Sequence, residues 1–368
     1  MAELKTVAPP ETPQGADMRM TGLPDEPYYQ RPDQARRTGF LLLVVGLIWL
    51  VFELTTRGSL LGGGLGFVER SAAVAPQEFS GQSLIVNVGA DDVELSRWDG
   101  DSIRVEATKY GYGWNGAIAD QQLEELSVDI TQRGDSVQVE VLRPSGWSIF
   151  GRSPYVELRI AVPAGLDLTV NTISGDLRAE GVQGDGTLAT VSGELIANGV
   201  AGDLRLRNTS GDILIDNYRG LLDAESVSGN IVVDTAEAER VRLSTVSGDI
   251  AVTAIGGDLE LTSISGDIEL NEIRDAQFRL NSTSGDVEVS GSLAEAGSNR
   301  IESVSGDIAV TLSEIDHLRL DMTTLSGELD SDLELQNETQ ERRQLSGQLG
   351  DGSITLSVST TSGDATVN

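Results

Sequence analysis

The sequence predicts an all-β protein built around a parallel β-solenoid, a β-helix-like coil with repeats of about 18 residues. The first observation is a Ser-Gly step followed by an acidic or amide residue, which recurs at intervals of 18, 18, 18, 19, 18, 19, 21, 21 and 36 residues. A fixed period near 20 residues is typical of repeat architectures, and we interpret the last interval as two periods. The serines of the step are Ser174, Ser192, Ser210, Ser228, Ser247, Ser265, Ser284, Ser305, Ser326 and Ser362.

The second observation is the alternation of apolar and polar residues on both sides of each step. Apolar residues stand six and four positions before the serine and three and five positions after it, as at Val241, Leu243, Ile250 and Val252. This period of two is the pattern of half-buried strands. Each repeat is therefore predicted to be a strand, a tight turn and a second strand. Stacking the repeats at about 4.8 Å per rung buries the apolar face that one repeat cannot bury alone.

The repeated step has a structural explanation. Glycine allows the positive φ or the close approach that a corner requires. The acidic side chain can accept hydrogen bonds from backbone N–H groups at the corner. The Thr or Ser two positions before the serine is expected to form a hydrogen-bonded ladder inside the coil. None of these roles requires a ligand.

Composition restricts the possible functions. The 368-residue chain has a formal net charge of −32, no cysteine and one histidine. Without cysteine there can be no disulfide, thiolate metal site or cysteine nucleophile, and the strong acidity argues against nucleic acid as a partner. A Ser-His-Asp triad would depend on His317, which follows Asp316, and the arginines are scattered. We therefore expect no enzyme and no catalytic residues.

The first 77 residues differ from the rest in composition. Residues 1–38 are rich in proline and predict a disordered tail. Residues 39–57 include the apolar run Phe40–Phe52 and predict one transmembrane helix, with a cleaved signal peptide or a buried core helix as alternatives. The arginine distribution predicts a cytoplasmic tail and an extracytoplasmic solenoid, in a single-pass protein of the bacterial cell membrane. Residues 58–77 are expected to be a linker.

Residues 78–165 are predicted to be an irregular N-terminal β region of the solenoid, and residues 166–368 its regular part. Alternating segments such as Leu84–Val88 indicate strands, whereas Tyr110–Gln122 and Pro144–Pro154 are expected to be long loops. Whether the irregular region caps or continues the stack, and the handedness of the coil, stay open.

The residues that follow the glycines are expected to stack into a column of acids. Like charges about 4.8 Å apart repel by about 0.9 kcal/mol in water, and Ca²⁺ would relieve this because it binds carboxylate oxygens. Ca²⁺ is therefore an alternative to turn capping alone, although the calcium-binding nonapeptide repeat is absent. We expect no other cofactor. The candidate ligands are Asp212, Asp249, Asp267, Asp286 and Asp307.

The residue immediately before each serine is mostly aliphatic and, by strict alternation, points outward. A stacked row of exposed aliphatic side chains is a candidate contact surface. Alternatively, the turn rotates these side chains against the adjoining loop. The candidate residues are Val191, Val227, Val246, Ile264 and Val304.

From about Glu78 to Asn368 the chain resembles the bacterial DUF4097 family, a β-repeat family also described as adhesin-like or toast-rack. The resemblance rests on Val156–Asp176, on the repeated Thr/Ser-x-Ser-Gly-Asp step and on the ending Gly350–Asp364. The segment Phe40–Leu54 is also similar to membrane helices of envelope stress proteins that carry this domain. The resemblance implies a surface β-solenoid without established activity, and no catalytic residue carries over from it.

These features predict a non-enzymatic, membrane-anchored, extracytoplasmic scaffold for adhesion or interaction at the bacterial cell envelope. The expected partners are the membrane, through one helix, and a cell-envelope protein, a polysaccharide or a second copy of the chain. The alternatives are an envelope-stress sensor or regulator, a self-assembling, polymer-forming solenoid, and a polysaccharide-active β-helix enzyme.

Overall fold

The computed structural model of the protein describes residues 68–143 and 153–368. It contains one helix in this part of the chain, α1 (Gly116–Glu125). The strands around it are β1 (Val68–Phe79), β2 (Ser83–Asn87), β3 (Asp92–Arg97), β4 (Ile103–Gly113), β5 (Ser127–Arg133), β6 (Ser136–Leu142) and β7 (Tyr155–Val162).

The strands of the repeats range from four residues in β9 and β11 to 17 in β14 and β17. They are β8 (Asp167–Thr172), β9 (Leu177–Glu180), β10 (Gly186–Ser192), β11 (Leu195–Asn198), β12 (Leu204–Ser210), β13 (Ile213–Ser228), β14 (Ile231–Ser247), β15 (Ile250–Ile255), β16 (Gly257–Ser265), β17 (Ile268–Ser284), β18 (Val287–Leu293), β19 (Gly297–Ser305) and β20 (Ile308–Leu312). The C-terminal strands are β21 (Leu318–Ser326), β22 (Leu329–Ser331), β23 (Gln336–Glu341), β24 (Gln344–Leu349), β25 (Ile354–Ser362) and β26 (Ala365–Val367).

Successive repeats pair in parallel on both sides of the Ser-Gly step, which confirms the predicted β-solenoid. The strands before the step form face 1, and the strands after it form face 2. On face 1, Ser192 pairs with Ser210, Ser210 with Ser228, and Ser228 with Ser247. Strands β13, β14 and β17 contribute to both faces, because each runs through the second corner of the coil without a break.

The stacking order of the rungs follows from the strand pairs. On face 1 the order is β5, β6, β2, β8, β10, β12, β13, β14, β16, β17, β19, β25, β21, β24, β23. On face 2 it is β1, β4, β7, β3, β9, β11, β13, β14, β15, β17, β18, β20, β26, β22.

The core consists of the aliphatic residues that the alternation assigned to the interior. Leu243, Ile250 and Val252 are each fully buried, and the same positions of neighbouring rungs lie above and below them. Burying one such side chain contributes about 1.5–3 kcal/mol, most of which offsets the entropy lost by ordering the rung. The rungs therefore depend on their neighbours for stability.

The irregular region continues the stack and also caps it. Strands β2 and β3 form one rung, and β6 and β7 form another outside it. Antiparallel strands then close this end, with β5 beside β6 on face 1 and β4 beside β7 on face 2. The loop expected at Tyr110–Gln122 is instead the end of β4 and most of α1. Part of the expected linker is also a strand, because β1 pairs with β4 over residues 68–79.

The last repeat does not stack in chain order. Strand β25 lies between β19 and β21, so that Ser362 pairs with both Ser305 and Ser326. The interval of 36 residues is therefore not two periods. Between Ser326 and Ser362 the chain forms β22, the hairpin β23–β24 and then β25. Strand β24 of the hairpin pairs antiparallel with β21, so the hairpin closes face 1 at this end.

In the described residues, no helix is long and apolar enough to cross a membrane. This finding conflicts with the expected single-pass arrangement, and the prediction of a bacterial cell-membrane location with a cytoplasmic amino terminus is wrong. The predicted tail (1–38), the predicted helix (39–57) and residues 58–67 of the predicted linker lie outside the described residues, as does most of the loop expected at Pro144–Pro154.

Candidate functional site

The Ser-Gly corners stack into a ridge along one edge of the solenoid. Each glycine packs directly on the backbone of the rung before it. A Cβ atom on Gly248 would lie 2.2 Å from the carbonyl oxygen of Gly229, and one on Gly266 would lie 2.0 Å from that of Gly248. Such a distance is too short for any side chain, so the glycines allow the rungs to approach each other.

The residues after the glycines form the acid column, as predicted. Within the described residues, every member except Glu194 and the terminal Glu328 accepts a backbone N–H of the next rung. Oδ1 of Asp249 accepts the backbone N–H of Asp267 at 2.9 Å, and Oδ1 of Asp267 accepts that of Asp286 at 2.8 Å. Asn230 takes the same place and accepts the N–H of Asp249 at 2.9 Å. In stacking order the column is Asp92, Asp176, Glu194, Asp212, Asn230, Asp249, Asp267, Asp286, Asp307, Asp364 and Glu328.

The geometry of the acid column bears on the calcium hypothesis. Among the residues described, no three acidic or histidine side chains converge closely enough to hold a metal ion. The candidates Asp212, Asp249, Asp267, Asp286 and Asp307 each use Oδ1 to bind a backbone N–H. Calcium binding stays an untested prediction, and a titration followed by melting temperature tests it.

A column of Thr, Ser and Asn side chains lies behind the ridge inside the coil. Thr190 donates to the carbonyl oxygen of Gly175 at 3.3 Å, and Thr245 donates to that of Gly229 at 3.3 Å. These residues are almost completely buried, with Thr245 1% exposed. Most of them therefore bind the corners from within, while the buried hydroxyl groups of Ser226, Ser303 and Thr360 have no hydrogen-bond partner among the described residues. Their burial keeps the column out of contact with a ligand.

The aliphatic residues before the serines lie on the surface. The aliphatic stripe consists of Ile173, Val191, Val227, Val246, Ile264, Val304 and Leu325, which are 41% to 59% exposed. Thr209, Thr283 and Thr361 occupy the remaining rungs of the same column. The turn does not fold these side chains against a loop, because face 1 and the ridge leave them open to solvent.

The charged residues of face 1 lie beside the stripe and pair between rungs. Nε of Arg205 lies 3.1 Å from Oδ2 of Asp223, and Nη2 of Arg242 lies 2.6 Å from Oε2 of Glu260. Exposed pairs of this kind contribute about 0–1 kcal/mol each. Arg279 lies in the same column, between Glu260 and Arg300, without an ion pair to any described residue. Face 1 is therefore close to neutral, whereas the acid column on the other side of the stripe is strongly negative.

Two open grooves run across face 1. The groove beside the stripe has a volume of about 630 Å³, and its lining includes Val191, Val227 and Val246. The second groove, of about 560 Å³, lies at the starts of the strands and is lined by acids and arginines such as Asp203 and Arg240. Its arginines are already engaged, since Arg240 lies 3.2 Å from Asp258, so the first groove is the better candidate site.

A buried acid that the sequence pattern did not predict lies at the N-terminal end of the ridge. Asp91 is fully buried and takes the place of the glycine, because a Cβ on Gly175 would lie 2.0 Å from the carbonyl oxygen of Asp91. Its Oδ1 accepts the backbone N–H of Val156 at 2.7 Å and forms an ion pair with Arg143. The only signal was the Asp-Asp pair at a turn that lacks the Ser-Gly step.

The other residues considered for chemistry are exposed. Nδ1 of His317 accepts the backbone N–H of Asp351 at 3.3 Å and lies 3.2 Å from Oδ1 of the same residue. No serine hydroxyl contacts this imidazole within the described part of the chain. Asp92, at the start of the acid column, has its pKa raised by partial burial and by neighbouring carboxylates, while its hydrogen bond from the Asp176 N–H lowers it.

Comparison with solved structures gives several matches of low identity. A "putative lipid binding protein" from Parabacteroides distasonis is 13% identical, with a TM-score of 0.38, over 82% of this chain and 97% of that one. A "putative adhesin" from the same organism is 12% identical, with a TM-score of 0.40, over 83% and 98%. A "putative adhesin" from Bacteroides fragilis is 9% identical, with a TM-score of 0.33, over 83% and 99%. No curated protein matches the sequence.

The family comparison covers most of the chain. The model of the Toastrack DUF4097 family matches residues 81–294 and 257–368. Together the two matches run from β2 to β26, and they include every Ser-Gly corner of the ridge. The chain therefore belongs to the Toastrack DUF4097 family.

Proposed function

We propose that this protein is a non-enzymatic scaffold for adhesion or interaction, and that its contact surface is the aliphatic stripe with the groove beside it. The exposure of Val227, Val246 and Ile264 on consecutive rungs, at 41% to 47%, supports this function. A contiguous row of exposed aliphatic side chains bordered by charges is characteristic of surfaces that bind other molecules.

The backbone around the stripe favours binding. Each stripe residue stands between a buried hydroxyl column and a hydrogen-bonded acid column, so the rung holds it in place before a partner arrives. A preorganised surface loses little conformational entropy on binding. A partner that contacts many rungs at once also gains from multivalency, because each further contact forms at high effective concentration.

A bead adhesion assay tests the proposal. Beads carry the protein, and the surfaces carry the same protein, an anionic polysaccharide or a neutral polysaccharide. The triple variant Val227→Lys, Val246→Lys, Ile264→Lys should lower adhesion at least tenfold on any surface that holds the wild type. The reason is that adhesion through the stripe of this variant would bury three ammonium groups in the contact, and removing them from water is unfavourable.

A matched control carries the same added charge on face 2. Asn198, Ala309 and Thr311 are exposed there, and their replacement by lysine should leave adhesion unchanged. Circular dichroism checks that both variants keep the β fold. Equal adhesion of the stripe variant and the wild type, or no adhesion of the wild type to any of the surfaces, would contradict the proposal.

A further inference from the structure

The proposed function leaves the occupant of the aliphatic stripe open, and this inference rests on that function. We infer that the occupant is a second copy of this chain, lying parallel to the first with a two-fold axis along the stripe. The repeat distance of the stripe, the distribution of charge on its two sides and the closed ends of the stack lead to this arrangement.

The repeat distance selects a partner of the same kind. The stripe offers one side chain per rung, so its period is the strand spacing of about 4.8 Å. An extended peptide along the stripe would place its contacting side chains about 6.8 Å apart, and a helix would repeat every 5.4 Å or so. Neither period matches over many rungs. A second solenoid has the same period and can meet the column of the stripe at every rung from Ile173 to Leu325, including the three rungs that carry threonine.

The charges select the orientation. The acid column lies on one side of the stripe, three residues later in each repeat, and the arginines of face 1 lie on the other side, as at Arg207 and Arg205. In a parallel pair, the two-fold axis brings the acid column of each copy over face 1 of the other. In an antiparallel pair the two acid columns face each other, and like charges in an interface are strongly unfavourable.

Arg279 gives this orientation a specific donor. It lies two columns from the stripe and has no ion pair within the described part of the chain. In the parallel pair its guanidinium faces the acid column of the partner, whereas in the antiparallel pair it faces the partner's own face 1.

The ends of the stack favour contact along the side. Antiparallel strands cover face 1 at both ends, with β5 at one and β23 at the other. Face 2 is covered by β4 and β1 at the N-terminal end and finishes at the three-residue strand β22 at the C-terminal end. Capping strands and very short edge strands both disfavour end-to-end growth. A side contact about 48 Å long and about 15 Å wide would bury roughly 700 Å² on each copy, which is close to the ~800 Å² of a standard interface.

Cysteine crosslinking distinguishes the two orientations, because the chain has no cysteine of its own. Val191 and Val304 stand three rungs on either side of Val246 in the stripe. In the parallel pair each stripe residue faces the same residue of the partner molecule. Val191→Cys and Val304→Cys should therefore each form a disulfide-linked homodimer under mild oxidation. In an antiparallel pair centred on Val246 they would link only to each other.

The experiment uses the full chain in two sizes, one carrying a tag, so that mixed dimers are resolved on a non-reducing gel. We expect self-linked dimers of Val191→Cys and of Val304→Cys at least tenfold above those of Ala309→Cys, an exposed position on face 2. A mixture of Val191→Cys with Val304→Cys should give no more mixed dimer than that control. Arg279→Glu should lower the self-linked yield severalfold.

Three results would overturn the inference. They are mixed Val191–Val304 dimers without self-linked ones, equal linking at Ala309→Cys, and a wild-type chain that sediments as a monomer while neither stripe cysteine variant links. The last result leaves the proposed function standing if the stripe lysine variant still loses adhesion to a polysaccharide surface. If that variant adheres as the wild type does, the proposed function fails as well.

Discussion

The two corners of each rung solve the same turning problem in different ways. At the Ser-Gly corner, every rung of the regular repeats has glycine, and a Cβ atom at any of these glycines would lie within 1.9–2.2 Å of a backbone oxygen. At the second corner the backbone is left-handed in successive rungs, with φ of 63° at Gly181, 65° at Gly199 and 51° at Asn217. There the column continues with side chains, as Thr235, Ala254 and Glu272 at 49° to 55°.

The difference shows that glycine has two separate uses in this coil. At the ridge its missing side chain lets adjacent rungs touch, and no other residue can do this. At the first position of the second corner, Gly181 and Gly199 only lower the cost of a left-handed backbone, which is about 1–2 kcal/mol for other residues. At the end of the same corner, Gly184, Gly202 and Gly220 pack on the preceding rung as the ridge glycines do, because a Cβ atom there would lie 2.2–2.3 Å from a carbonyl oxygen. The left-handed position of the second corner can therefore vary in sequence, whereas the ridge glycine cannot, and this explains why the ridge shows the clearer motif.

The largest effect is expected for Gly248→Ala. Its Cβ would lie 2.2 Å from the carbonyl oxygen of Gly229, so the rungs would have to separate, and we expect a loss of about 3 kcal/mol in the free energy of unfolding. Urea denaturation measures it. Gly199→Ala is the control, since its Cβ would have no neighbour closer than 3.7 Å, and it should cost only about 1 kcal/mol. Equal losses would show that close approach is not the reason for the motif.

The next effect concerns the acid column. Asp249→Ala removes the acceptor for the N–H of Asp267 and should cost about 1 kcal/mol. Asp249→Asn keeps an acceptor, as Asn230 already does in the neighbouring rung, and it removes one charge from the column. The Asn variant should be at least as stable as the wild type at low salt. Thermal melts at two ionic strengths measure both, and an Asn variant as unstable as the Ala variant would refute the capping role.

A smaller gain is expected at the second corner. Thr235 is β-branched and has φ of 49°, so Thr235→Asn should stabilise the protein by about 0.5 kcal/mol, because asparagine tolerates the left-handed region. Thr253→Asn is the control: it lies in a paired segment of β15, where threonine is favoured, and it should be neutral or slightly destabilising. A fall in urea midpoint for Thr235→Asn would contradict the assignment of strain.

The smallest effect concerns the rung in which Asp91 and Asp92 replace the Ser-Gly-acid sequence. The pKa of Asp92 is raised above its ordinary value, chiefly by partial burial, so the folded protein binds this proton more readily than the unfolded chain. The resulting stability is present below the unfolded pKa and is lost as the pH rises through the folded pKa. Asp92→Asn should therefore be more stable than the wild type at neutral pH, and the difference should shrink towards pH 3. Melting curves across this range measure it.

Much of the regular part was predictable from the sequence. The alternation around Ser247 identified the buried residues Leu243 and Ile250 and placed Val246 outside, because the side chains of a strand point to opposite faces in turn. The same reasoning gave the acid column and the buried hydroxyl column. The interaction role of the stripe stays a proposal, since exposure shows only that the surface is available.

The ends of the stack were not predictable in this way. The sequence gives no sign that β25 lies between β19 and β21, or that the rung of β6 and β7 lies outside that of β2 and β3. It also suggested a loop where α1 forms. These elements depend on contacts with strands far away in the chain.

The sequence by itself determined the rung: its length, its two strands, its corner chemistry and the direction of each side chain. These follow from local periodicity and from the conformational limits of single residues. The tertiary structure alone decided the order in which the rungs stack and how the ends are closed. All rungs share one pattern of columns, so local pattern allows any rung to pair with any other. Only the full set of contacts selects the neighbours, including the Asp91–Arg143 ion pair at one end and the inserted β25 at the other.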